Sequence, residues 1–476
     1  LACKRKGREM ITVPAIRESC AGIDVGKREV AVAIAVGPVD KEAAIHTRMF
    51  GTTVPALQQL RCWLGEHGCT SVAIESTGSY WVPVKNVLEG AVEIVLICSR
   101  KHHPKKGDKT DFRDAINMVH YHRHGLLTGS YIPERRVVEL RDLTRRRKKL
   151  LGDVRGEKNR IQKVLETANV KIGNIISDMF GVSGQEMLKA LLSGQPLPAS
   201  KIADLAKRKL RLKIPELEEA LQQHQLNEHH RWLIRQSIEH LVLLDRQLEE
   251  LESKILEYLE PYRTGYDLLQ TIPGVKEHTA AAILAEIGPD MSVFPTAGQL
   301  CSWAGICPGN NRSAGKSKTA HIKKANPFLL VALVEASWGA ARTADTKFQV
   351  QFQRWTRNLG RKKAVIAVCH SLLRTIYAML RDNQSYKEPD PDAAAARHRE
   401  KRIRHHAKQL RDLGMDTQAS QELIEQLMAV PAPVRPTRAA VCRKSQRPVR
   451  PCRGALGFRA RQTRPQRTKY SNIKEP

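Results

Sequence analysis

Acidic residues are scarce for a chain of this size: 49 Asp and Glu face 79 Lys and Arg, a formal net charge of +30. No apolar run approaches the roughly 20 residues of a membrane-spanning helix. The opening stretch LACKRKGREM lacks the apolar core of a signal peptide. Ten cysteines are present, yet they form no C-x-x-C pair and no Cys/His set at zinc-ligand spacing. That argues against a disulfide-built scaffold and against a zinc finger. Together these absences imply a reduced, cytoplasmic setting with no membrane partner. The chain starts at Leu1, and Met10 is a candidate initiator that would leave residues 1–9 upstream.

What is present begins with charge. An excess of +30 favours a polyanion partner, because releasing condensed counterions from phosphates drives association. A basic tail does not account for it alone, since segments 100–113, 135–160, 201–213, 312–324 and 354–363 are basic as well. At 476 residues the chain is long enough for two or three domains with sizeable cores.

After an N-terminal extension (1–17), residues 18–130 alternate β-rich apolar runs with helical patterns. SCAGIDVGKREVAVAIAV reads as a hairpin of two strands, SVAIEST and VEIVLICS as further strands. LQQLRCWLGEHG, YWVPVKNVLEG and DFRDAINMVHYHRHG read as helices. This succession predicts an α/β domain with a mixed sheet. Residues 131–264 are mostly helical. Leu140, Leu143, Leu150, Val154, Ile161, Val164 and Ala168 follow 3-4 spacing broken by Arg147 and Glu157; Leu241, Leu244, Leu248, Leu251, Ile255 and Tyr258 follow it unbroken. Such stripes build a helical hairpin, an intermolecular coiled coil or an ordinary bundle core, and spacing does not choose among them. Residues 265–385 form a third, mostly helical unit. In the tail (386–476), AAAARHREKRIRHHAKQLRDLG reads as an exposed basic helix, and 431–476 carry thirteen Lys and Arg against one acid. A segment of that composition cannot build a core and is expected to be disordered.

Four carboxylates in the first domain stand out. Asp24 interrupts an apolar strand and Glu75 ends another, while Asp111 and Asp114 lie one turn apart on one helix face. Hard oxygen donors of this kind suit Mg²⁺ or Mn²⁺, which assist phosphodiester cleavage. Each acid also has an ordinary reading: Asp111 as a helix N-cap, Asp114 as a first-turn acid favoured by the helix dipole. His120, His122 and His124 do not share a helix face, and read as solvated or phosphate-contacting rather than as zinc ligands.

The third unit holds PGNNRSAGKSKTAHIKKANP, which approaches a phosphate-binding P-loop without reaching it. The motif needs a glycine where Asn310 stands, and it needs a preceding strand. Glycine and lysine around an exposed serine remain a phosphate-binding composition. Arg312, Gly315, Lys316, Lys318, Lys323 and Lys324 are candidate nucleic-acid contacts, with Lys105, Lys106 and Lys109 in the loop RKHHPKKGDKT. TIPGV between helical runs resembles a helix-hairpin-helix turn, which adds Gly274 and Lys276. A tight helix–helix turn with no ligand is the alternative there.

These blocks resemble one family. GIDVGK, AIESTG and KKGDKTDFRDA are similar to the three N-terminal blocks of the DEDD-type insertion-sequence transposases. LLQTIPGVKEHTAAAILAEIG and LCSWAGICPGNNRSAGKSKTAHIKKANPFLLVALVEASW are similar to their C-terminal transposase domain. The blocks cover roughly residues 18–380 in family order. The resemblance implies a RuvC-like, ribonuclease-H-like first domain, with Asp24, Glu75, Asp111 and Asp114 as its metal-binding set. It implies Ser313 as a nucleophile that forms a covalent phosphoserine link to double-stranded DNA before strand exchange. It also implies a structured noncoding RNA as guide, a homo-oligomer joined through its coiled coil, and a nucleoid-associated location in a prokaryote. Two other functions stay open on the residues: a junction nuclease using water and the carboxylates alone, and a non-catalytic nucleic-acid-binding derivative.

Overall fold

The computed structural model describes residues 13–76, 78–97, 110–195, 197–308, 312–313, 316–317, 322 and 326–429. They fall into two compact units that divide between Glu134 and Arg135.

The first unit is built on a five-stranded mixed sheet. Its strands are β1 (Ser19–Val25), β2 (Glu29–Val36), β3 (Ala44–Gly51), β4 (Ser71–Glu75) and β5 (Glu93–Ile97), in the order β3-β2-β1-β4-β5. β1, β2 and β3 pair antiparallel, whereas β1, β4 and β5 pair parallel. The expected hairpin is β1 and β2. β3 escaped the sequence reading because it is a mostly exposed edge strand with polar residues, including His46, Thr47 and Arg48, where a buried strand would be apolar. Helices α1 (Val54–Glu66) and α2 (Trp81–Leu88) cover one sheet face through Leu57, Leu60, Val84 and Leu88, which pack on Ile23, Val32, Ile34, Val72 and Ile74. This mixed sheet agrees with a ribonuclease-H-like α/β domain.

The other face is lined by small side chains, and α3 (Asp111–Arg123) lies close upon it. Cys20, Ala33 and Ala35 meet Ala115 and Val119. A Cβ on Gly22 would come within 2.4 Å of the Ala115 carbonyl oxygen, so only glycine permits this approach. At the far end of α3, His122 is buried and its Nε2 lies 2.8 Å from the Ser71 hydroxyl. The Arg123 guanidinium donates to the carbonyls of Gly37, Pro38 and Lys41, which ties down the β2–β3 connection.

The second unit is helical. α4 (Arg135–Thr167) and a later helix of similar length, Glu228–Leu259, run antiparallel, with Leu150 and Val154 packed on Leu244, Leu248 and Leu251. The two stripes therefore meet within one chain as a helical hairpin. The residues that break the α4 stripe are its cross-links: Arg147 pairs with Glu252 at 2.7 Å, and Glu157 with His240 at 2.7 Å. Between the two long helices come α5 (Val182–Leu192), α6 (Ala199–Ala203) and α7 (Ile214–Leu221), which close a small core with Ile161, Leu165, Ile234 and Ile238. The return helix is α8 (Glu228–Leu259).

Next come α9 (Arg263–Gln270), α10 (Glu277–Ile287), α11 (Ala297–Trp303), α12 (Pro327–Arg342) and α13 (Lys347–Asp382). α13 is the one described helix long and apolar enough to cross a membrane by length and composition, an exception to the expectation of no such run; half of its apolar window is buried. Val365, Val368, Leu372 and Ile376 are core residues of the bundle. The expected exposed basic helix is α14 (Pro391–Asp412), and it is followed by α15 (Thr417–Ala429). The two pack on each other, burying Ala407 and Ser420. Residues 430–476 lie outside the described residues.

One buried carboxylate joins three of these helices. Glu286 of α10 is 1% exposed. It accepts from Arg145 of α4 at 2.7 and 2.9 Å, lies 3.5 Å from Arg141, and accepts from the Asn326 amide. Asn326 also caps α12 by accepting from the Phe328 and Leu329 N–H groups.

Two expectations follow. Burial, with Arg17 nearby, lowers the His122 pKa from 6.5 to about 4. The unfolded chain therefore binds the proton first, and stability falls as pH drops from about 6.5 to about 4, by up to about 1.4 kcal/mol per pH unit. In thermal melts at pH 7 and pH 5, His122→Gln narrows the difference between the two midpoints. Glu286→Ala strands two arginines and the Asn326 amide, and is expected to cost about 3–5 kcal/mol in denaturant unfolding.

Candidate active site

The β1–β4 register pairs Cys20 with Ser71, Gly22 with Ala73 and Ile23 with Ile74. One step on, Asp24 falls beside Glu75 at the carboxyl ends of two central parallel strands, about 5 Å apart between neighbouring backbones. Both are half-buried. Alternation along the strands puts Asp24 on the face of Cys20 and Gly22, and Glu75 on the face of Ser71 and Ala73. That is the face α3 covers.

The direction of α3 decides which of its residues lie nearest. The Cys20 thiol points to the Val119 carbonyl, at 4.0 Å, and Gly22 abuts Ala115. Moving along β1 toward Asp24 therefore moves toward the first turn of α3, which holds Asp111 and Asp114. Asp111 is exposed and Asp114 half-buried. The N-cap is not Asp111 but Thr110, whose hydroxyl accepts from the Arg113 N–H; Asp111 is the first helical residue. Strand register and helix direction thus put Asp24 and Glu75 at the carboxyl ends of β1 and β4, on the side of the sheet toward the first turn of α3, where the helix dipole favours negative charge.

As a donor set the four fit a hard divalent cation, being carboxylate oxygens throughout. Among the described residues, no three His, Cys, Asp or Glu side chains are grouped so as to hold a metal ion. What the backbone brings together is the neighbouring strand ends of Asp24 and Glu75, with Asp111 and Asp114 in the first turn of the covering helix. The histidines take no part as a set. His122 is buried against Ser71, which corrects the expectation of a solvated or phosphate-contacting residue. His124 Nδ1 lies 2.8 Å from the His120 carbonyl oxygen, a local helix-end contact. Lys105, Lys106 and Lys109 lie outside the described residues.

In the second unit, Arg312–Ser313 (β6) and Lys316–Ser317 (β7) pair antiparallel, with Ser313 opposite Lys316 and Arg312 opposite Ser317. Pro308 and Ile322 form a further bridge. Among its described residues, the stretch that resembled a P-loop thus holds a two-stranded pairing between α11 and α12 rather than a strand that turns into a helix. Gly315, Lys318, Lys323 and Lys324 lie outside the described residues. Asn326 stands at the start of α12, which the Glu286 network fixes. Sequence reading passed over this network. Asn326-Pro327 ahead of an apolar run is a helix-start signal, but nothing local announces a buried Glu286.

Gly274 has a packing role that its turn alone did not disclose. It adopts φ 86°, and a Cβ there would come within 2.1 Å of the Ala340 nitrogen. The need for glycine is met by contact with α12, whatever the turn binds. Lys276 is exposed and occupies the N-cap position of α10 without a side-chain capping bond.

Comparison with known proteins matches each unit separately. A family model for DEDD transposases of the IS110 type, described as "Transposase", matches residues 21–170 and so takes in Asp24, Glu75, Asp111 and Asp114. A second, described as "Transposase IS116/IS110/IS902 family", matches residues 266–353 and takes in Gly274 and Ser313. The insertion element IS110 uncharacterized 43.6 kDa protein of Streptomyces coelicolor is 28% identical over 152 residues, 32% of this chain and 37% of its own length. The insertion element IS900 uncharacterized 42 kDa protein of Mycobacterium paratuberculosis is 25% identical over 312 residues, 60% of this chain and 75% of its own. The pilin gene-inverting protein of Moraxella lacunata is 30% identical over 159 residues, 32% of this chain and 47% of its own. The chain thus spans from little over a third to three quarters of the length of these relatives. With both family models matched in succession along it, the chain belongs to the IS110 family of DEDD transposases.

Proposed function

We propose that the chain is a DNA transposase and recombinase that cuts and exchanges strands through Ser313, assisted by Asp24, Glu75, Asp111 and Asp114. The observation that carries this reading is the β1–β4 register, which sets Asp24 beside Glu75 beneath the acid-bearing first turn of α3. The pilin gene-inverting name of one relative, a DNA rearrangement, is in keeping with it.

In this reading the Ser313 hydroxyl attacks the phosphorus of a DNA phosphodiester. The serine–phosphorus bond forms as the bond to one sugar oxygen breaks, and the serine proton leaves on that oxygen. One P–O bond replaces another, so a new strand's hydroxyl can reverse the step and release the serine without an energy source. A divalent cation, Mg²⁺ or Mn²⁺, held by the four carboxylates would polarise the phosphodiester and offset its developing charge. The ends of β1 and β4 and the first turn of α3 position the carboxylates, and the basic residues around Ser313 draw the phosphate in. A structured noncoding RNA supplies sequence choice by base pairing, which suits a strongly basic protein that reads backbones rather than bases. The protein acts as a homo-oligomer.

The test is direct. Wild-type protein is incubated with element-end DNA, the element's RNA and Mg²⁺, then denatured. A protein–DNA adduct that survives denaturation is expected; Ser313→Ala abolishes it while DNA binding persists. Recombinant products without any adduct would sink the serine role, and cleavage that survives Ser313→Ala would favour a nuclease using water. Asp24→Asn and Asp114→Asn are each expected to lower strand exchange by on the order of 10²-fold or more with little change in melting temperature.

A further inference from the structure

Helix α13 is broken by Gly360, which sits at φ 74° and ψ 162°, a conformation open to glycine and rarely to other residues. The half before Gly360 folds back against the half after it, so that Lys347 Nζ donates to Thr375 Oγ1 at 3.3 Å. Spacing of four places Lys347, Gln351 and Trp355 on one face of the first half, and His370 and Arg374 on one face of the second. Between these faces, bounded by residues 384–389, lies a cleft of about 790 Å³.

Its charge is unbalanced. Lys347, Arg374 and Lys387 line it against one lining acid, Asp382, while burial, with Arg374 nearby, lowers the His370 pKa and favours its neutral ring. Asp382 is already held by Arg381, at 2.7 and 3.0 Å. Glu388, the acid nearest Lys347, accepts the Lys347 backbone N–H and the Tyr386 hydroxyl. Arg374 and Lys387 are exposed and have no ion-pair partner among the described residues. Burial lowers the Lys347 pKa; Glu388 opposes this and Arg374 adds to it. The cations crowd together where an anion would relieve them.

The other lining is aromatic and carries an unfilled acceptor. Trp355 faces the cleft, and the Oε1 of Gln351 is buried without a hydrogen-bond partner among the described residues. Buried amide oxygens are nearly always paired, so one left open beside a cationic, aromatic-walled cleft calls for a ligand that donates.

We propose that this cleft holds one unpaired nucleotide of a single-stranded nucleic acid. Its phosphate rests against Arg374, Lys387 and Lys347; its base stacks on Trp355 and donates an N–H to Gln351 Oε1. The inference rests on the nucleic-acid reading above and adds the strand state: a nucleotide released from its pair, since a base inside a duplex offers neither a free ring face nor a free edge. DNA and RNA share this chemistry, and the experiment separates them.

Full-length protein is titrated with short labelled DNA and RNA single strands and with a duplex, at several salt concentrations. Trp355→Ala weakens single-strand binding about tenfold, the loss of one stacked base, while Trp355→Phe keeps it within about threefold. Arg374→Ala and Lys387→Ala each weaken it and flatten its salt dependence by about 0.7 in slope. Duplex affinity is unchanged by Trp355→Ala. Whichever single strand loses more affinity in that variant is the source of the nucleotide. Single-strand binding unchanged in Trp355→Ala and Arg374→Ala overturns the pocket, as does equal weakening of duplex and single strand. A protein that forms the Ser313 adduct but shows no Trp355 dependence loses only this inference. One that binds single strands through Trp355 but forms no adduct loses only the strand-transfer chemistry.

Discussion

Glu286 is the constraint on which the second unit turns. It is an anion taken out of water, and such a charge is tolerated only where partners surround it. Arg141 and Arg145 come from the long helix α4, and Asn326 from the start of α12. The three helices cannot move apart without exposing a group that has no substitute partner. The network therefore sets the root of the α4–α8 arm, the packing of α10 and the start of α12 together. Arg145 also lies over the Phe328 ring at 4.8 Å, so the same side chain packs as well as pairs.

The first unit depends on a different economy, that of small side chains. Cys20, Gly22, Ala33, Ala35 and Ala73 make one sheet face nearly flat, and α3 settles against it with its backbone in contact at Gly22. The opposite face carries Ile, Val and Leu and takes α1 and α2 at ordinary distance. The asymmetry brings the first turn of α3 down toward the strand ends that hold Asp24 and Glu75. Packing and candidate chemistry are thus one arrangement: the residues that let the helix approach are not the acids, but they decide where the acid-bearing first turn of α3 lies.

Much of this was legible in the chain. The β1–β2 hairpin, β4, β5 and α1 to α3 follow from alternation and helical spacing, because both are local periods of the backbone. The four acids were conspicuous because each stands in or beside an apolar run. β3 was missed because an exposed edge strand need not be apolar, and α15 because its weakly apolar pattern gains meaning only from α14 beside it. The breaks at Arg147 and Glu157 looked like flaws in a stripe; they are an ion pair to Glu252 and a hydrogen bond to His240, visible only when the partner helix is known. Thr110 rather than Asp111 caps α3, a one-residue shift that depends on where the chain turns into the helix.

The amino-acid sequence by itself determined the elements, the basic character and the stock of acids and nucleophiles, since these rest on composition and short-range periodicity. It carried family blocks in order, and with them the expectation of a metal-dependent DNA enzyme. Only the tertiary structure decided which residues meet: Asp24 beside Glu75 by strand register, Gly274 against α12, Glu286 among three helices, Lys347 against Thr375 across the break at Gly360. Each is a contact between residues distant along the chain. Such contacts are set by how whole elements cross and pair, and no local pattern encodes that.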